Sequence, residues 1–126
     1  MSRSLKVIGA ALAAVLILAG VALAALPKPG GIYKGPTSDK GHVKIVAETK
    51  HNLSLVRVKD KCDEVYKFHN VKVADNGTFK AKDKNSSGIV IFSVSGQFSS
   101  NTKAEGETSQ VACDGESTFF TAKLVQ

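Results

Sequence analysis

After residue 31 the apolar residues recur at every second position, and no stretch repeats with the 3.6-residue spacing of a helix. In "FKAK" Phe79 and Ala81 alternate with Lys80 and Lys82, and in "VIFSVSGQF" Val90, Phe92, Val94, Gly96 and Phe98 share one side. Successive side chains of a strand point to opposite faces, so each such run buries one face and wets the other only as β-structure. Turn residues punctuate the runs, at "GPTSDKGH", "ADNGTF", "KNSSG", "SSNTK" and "DGES". The pattern predicts an all-β domain of about eight short antiparallel strands in a meander, closed as a barrel or folded as a sandwich.

Particular segments carry particular expectations. Val43, Ile45 and Ala47 with "LSLVRVK" predict a hairpin. Val56, Val58, Cys62, Tyr66 and Phe68 keep one parity, which slips at His69-Asn70 before Val71 and Val73, the mark of a bulge or corner. Asn76-Gly77 predicts strand pairing between the segments that end at Val73 and begin near Phe79. Residues 104–113 read as extended, with Val111 and Cys113 on one face, and Phe120, Ala122 and Leu124 form the inner side of the last strand. Tyr33, Tyr66 and Phe119 are expected to complete the core, because six Phe and two Tyr are few for an interior of this size.

The start of the chain is different. Arg3 and Lys6 precede a run from Val7 to Leu26 without a charge, a positive n-region followed by an apolar segment, as in an export signal. Its 20 residues are long enough to cross a bilayer of about 30 Å at about 1.5 Å per residue. Eight of the 20 are Ala, and Ala22-Leu23-Ala24 is a small-x-small cleavage pattern. Residues 1–24 are therefore a signal peptide cut after Ala24 or an uncleaved anchor, with residues 7–26 in the membrane. Both place the remainder outside the cytoplasm. Val21 stands where a lipoprotein box needs its cysteine. Residues 25–31, with Pro27, Pro29, Gly30 and Gly31, read as a linker, and residues 32–126 as one domain.

Export decides how the cysteines are read. Cys62 and Cys113 are the only two, and an oxidising compartment favours a disulfide between them. The rival, zinc shared with His42, His51 or His69, lacks any C-x-x-C or H-x-x-x-H spacing. No metal or other cofactor is expected.

"GIYKG" from Gly31 to Gly35, Cys62, "NGTF", "VSGQFSSNTKAEGE" and "CDGESTFFTAK" together resemble a small secreted all-β domain of actinobacterial hypothetical proteins. That resemblance spans residues 31–123 and implies a Cys62–Cys113 bridge and no enzymatic role. The chain is also similar to avidin-like barrels in its opening glycine-aromatic segment, but it contains no Trp, so biotin is not expected.

Charge supplies the candidate ligand site. Of 17 basic residues, removing Arg3 and Lys6 leaves 15 against 11 acidic. Arg57, Lys59 and Lys61 project from one segment and Lys80, Lys82 and Lys84 from another, and two such stripes on neighbouring strands would form a ridge for an anionic cell-envelope polymer. Lysines that guard strand edges are the alternative. Asp60, Asp63 and Glu64 interrupt the first stripe and no aromatics interleave, which argues against nucleic acid. Glu105 and Glu107 stand roughly 6–7 Å apart on one strand rather than across a cleft, and no serine has a paired base, so no catalytic residue is expected. The expected function is a non-enzymatic binding or structural module at the cell surface. A β-barrel carrier of small molecules is the second reading.

Overall fold

The computed structural model describes residues 25–115 and 117–126, so the apolar segment and the Ala24 cleavage position lie outside the described residues. The described chain is all-β, with nine strands and one single-turn 3-10 helix at Cys113–Gly115. The strands are β1 Ile32–Pro36, β2 His42–Thr49, β3 Asn52–Lys59, β4 Val65–Phe68, β5 Val71–Lys72, β6 Thr78–Lys84, β7 Val90–Ser100, β8 Lys103–Gln110 and β9 Ser117–Leu124. They form one antiparallel sheet in the order β4-β3-β2-β1-β9-β8-β7-β6, with β5 beside the far end of β3. The sheet curls into a barrel that is nearly closed.

Alternation sets the inner face as expected. Tyr33, Val43, Ile45, Val56, Val58, Phe92, Val94, Phe98, Phe120 and Ala122 are buried within one core. Register shifts at Val46/Ala47 and Ala47/Thr49 let both Leu53 and Val56 point inward, although their parities differ. Glycines permit close approach at the rows that carry large rings. Gly96 lies opposite Phe79 and Gly106 opposite Phe120, and a methyl group at either glycine would collide with the facing ring and with backbone.

No backbone ladder joins β4 and β5 to β6, so the barrel has a seam. Side chains bridge it. Phe92 of β7 stacks on Tyr66 of β4 with ring centres 3.9 Å apart, and Phe68 lies 6.0 Å away. Near one end Cys62 is bonded to Cys113, across 51 positions of sequence. Beside it the buried Asp60 carboxylate accepts the N–H groups of Cys62 (2.8 Å) and Glu64 (2.9 Å), and its other oxygen accepts from the Gln110 amide at 3.2 Å. The disulfide expected from the two cysteines is present and fastens the β3–β4 turn to the end of β8.

Four expectations are corrected. The Asn76-Gly77 turn forms, with Gly77 at φ +85°, but its flanks part: β5 pairs with β3 and β6 with β7. Strand β8 stops at Gln110, so Val111 is exposed and Cys113 sits in the 3-10 turn rather than on the same strand face. The segment 25–31 is no free linker. Ala25 and Leu26 pack on the core, Pro27 is fully buried, and Gly30 and Gly31 exchange backbone hydrogen bonds with Ala47. Phe119 is 61% exposed, whereas Tyr33 is in the core and Tyr66 is half-buried against Phe92.

Candidate anion-binding surface

Residues that lie opposite one another on adjacent strands share a face, and the outer face of this sheet brings cations together from distant parts of the sequence. Lys67 is opposite Arg57, Arg57 opposite Lys44, Lys44 opposite Lys34, Lys34 opposite Lys123, and Lys123 opposite Lys103. This is an unbroken row of six cations across β4, β3, β2, β1, β9 and β8. At about 4.8 Å between neighbouring strands the row is about 24 Å long. Lys103 has Glu105 at 3.3 Å, while Lys34, Lys44, Arg57, Lys67 and Lys123 have no ion-pair partner among the described residues.

Like charges directly opposite one another destabilise a sheet. Lysines can protect a strand edge, but only Lys67 is on an edge strand; the other five members lie on strands paired on both sides. Edge protection therefore does not account for the row. An external anion lying along it would turn the mutual repulsion into attraction.

The residues singled out in the sequence divide between this row and other places. Arg57 belongs to the row. Lys59 is two positions further along the same outer face of β3, opposite His42, and is paired with Asp63 at 3.4 Å. The second stripe is on β6, at the opposite end of the strand order from β4, so it does not neighbour β3. Lys80 and Lys82 flank an open groove of about 1500 Å³ that also takes in residues 67–74, and Lys84 lies beyond it. Lys34, Lys44, Lys67, Lys103 and Lys123 escaped sequence reading because nothing local marks them: each is a single cation at an outward position of a different strand.

The remaining candidates are dispersed. His51 hydrogen-bonds Asp75 at 3.0 Å, His69 the carbonyl of Ser54 at 3.3 Å, and His42 lies opposite Lys59. The two sulfurs near Asp60 are bonded to each other. Glu105 and Glu107 both stand on the outer face of β8, where Glu107 is opposite the exposed Phe119.

Among the described residues, Tyr66 and Tyr33 have shifted ionisation. Burial pushes the Tyr66 phenol above its ordinary value, reinforced by the carboxylates of Asp60, Glu64 and Asp83. Burial also raises Tyr33, against the opposing effect of the Lys28 N–H donated to its oxygen at 2.8 Å; its hydroxyl donates to the Asn101 carbonyl at 2.7 Å.

Comparison with known proteins adds nothing to this geometry. No family model, curated protein or solved structure matches the chain.

Proposed function

We propose that this protein is an exported, non-enzymatic β domain that works at the cell surface by binding a linear polyanion along the row Lys67, Arg57, Lys44, Lys34, Lys123 and Lys103. The row itself carries the reading, because five of its six members are cations on a paired sheet without an ion-pair partner among the described residues. Arg3, Lys6 and the apolar run to Leu26 support export, and the Cys62–Cys113 disulfide is compatible with an oxidising location. The ligand class is a phosphate- or carboxylate-bearing polymer of the envelope. A carrier would use the groove at the seam, where the inward Val71, Val73 and Phe79 come together; the row of cations favours the outer surface instead.

Retention on immobilised long-chain polyphosphate tests it. The wild-type protein is expected to bind at low ionic strength and elute as salt shortens the screening length from about 30 Å to about 3 Å. The triple variant Lys34→Gln, Lys44→Gln, Arg57→Gln should wash through, whereas Lys80→Gln with Lys82→Gln should be retained almost as wild type. Equal retention of the triple variant and the wild type refutes the assignment.

A further inference from the structure

On the outer face of β7, β8 and β9, between Lys80 and Lys82 of β6 and the cationic row, the side chains change in chemistry. Ser95, Glu107 and Phe119 lie side by side in register, and next to them run Gln97, Glu105 and Thr121. Ser93, Ser109 and Ser117 make a third row on the other side of Phe119. The groove of about 1500 Å³ described above reaches Ser95, Glu107, Phe119 and Thr121 of this face and is also lined by the inward Phe79 and Phe98.

Phe119 is the anomaly. Its side chain is 61% exposed, yet its backbone is fixed on both sides. Its N–H donates to the Ser38 hydroxyl at 3.0 Å, its carbonyl accepts the Ser38 N–H at 2.7 Å, and Ser38 is joined in turn to Thr118 at 2.7 Å. On the other edge it pairs with Glu107. An aromatic ring presented to water from so rigid a mount loses little freedom on covering a flat apolar surface. Glu107 and Thr121 beside it have no side-chain partner among the described residues, so their acceptor and donor capacity is open.

We propose that this face binds an uncharged glycan chain. The Phe119 ring stacks against the C–H face of one pyranose, Glu107 and Thr121 take hydrogen bonds from and to its hydroxyl groups, and Ser95, two strands away at about 10 Å, meets the next sugar of the chain. Glu107, which stands directly beside the ring and has no ion-pair partner among the described residues, repels an anionic sugar there, which separates this ligand from the polyanion of the cationic row. The inference does not rest on that row.

The test is calorimetric or NMR titration of the natively exported protein with two probes, the tetramer of β-1,4-linked N-acetylglucosamine and the tetramer of β-1,4-linked glucose. The two arms distinguish an N-acetylhexosamine polymer from a glucan. At least one is expected to bind at millimolar concentration or below, with amide shifts centred on β8 and β9. Phe119→Ala should weaken that binding by roughly tenfold or more, Phe119→Tyr should restore it, and Lys34→Gln with Lys44→Gln should leave it unchanged. Because the ring is mostly exposed, an unchanged circular dichroism spectrum for Phe119→Ala is expected and shows that the fold survives. The proposal is overturned if neither tetramer binds, if Phe119→Ala binds as wild type, or if Phe119→Ala converts a dimer to a monomer, which would make the ring a self-association contact.

Discussion

Replacing Lys44 with glutamine removes one charge from the middle of the cross-strand row while keeping most of the side-chain stem. Its neighbours across the strands are Lys34 and Arg57. With the charged groups taken as about 6 Å apart, each repulsion is about 0.7 kcal/mol in the dielectric of water, or about 1.4 kcal/mol for the two. Screening cuts this to about 1 kcal/mol at about 0.01 M salt and about 0.2 kcal/mol at about 1 M. The variant should therefore be more stable than the wild type, by a margin that salt erases. For a domain of this size the low-salt gain corresponds to a rise of roughly 0.5–1 M in the urea midpoint. Urea titrations of the purified protein followed by circular dichroism, at both salt concentrations, measure it. A variant no more stable at low salt, or one whose gain persists at high salt, refutes the argument that the row stores repulsion. Added polyphosphate should reverse the order, because a ligand that binds the folded state stabilises the stronger binder more.

Other perturbations probe the scaffold. Replacing both Cys62 and Cys113 with alanine releases a loop of 51 positions, and the chain-entropy relation gives a loss of about 4 kcal/mol in chemical denaturation. A loss within error of zero would show that the staple is redundant. Gly35→Ala places a methyl group into the backbone of Thr121, and a loss of about 3 kcal/mol or more is expected because backbone cannot yield as a side chain does. Expression of a Gly35→Ala protein with wild-type thermal stability would contradict the close approach of β1 and β9. The chain has two Tyr and no Trp, so tyrosinate absorbance reports Tyr33 and Tyr66 without interference. Both are held above the ordinary phenol value of about 10, so the folded state keeps protons that the unfolded state releases. Their contribution is present below that value and is lost as pH rises through the folded values. Tyrosinate that appears with normal titration while the sheet stays intact would contradict their burial.

Local alternation was sufficient to place Phe92, Val94, Phe98, Phe120 and Ala122 in the core and Lys80 and Lys82 outside it. Phe119 was expected in the core from a count of aromatics, but it directly precedes the inward Phe120 on a strand of two-residue period and so faces out, and the core is completed instead by Val, Ile, Leu and Ala. Turn chemistry located Asn76-Gly77 correctly, but a turn fixes only four residues. It does not decide whether the chains leaving it stay together, and here β3 captures one flank and β7 the other. The linker reading of residues 25–31 rested on Pro and Gly, which exclude a helix but carry no information about packing, and packing draws Leu26 and Pro27 onto the core.

The sequence by itself determined which side of each strand is wet, through its two-residue period, and which sulfurs are joined, because two cysteines allow one pairing. Tertiary structure alone decided which outward residues become neighbours. Lys34, Lys44, Arg57, Lys67, Lys103 and Lys123 form one row because β1 lies between β2 and β9, and that order depends on loop paths and on the burial gained when the sheet curls. Period is a property of a few adjacent residues, whereas strand order and register are set by contacts between segments far apart in the chain.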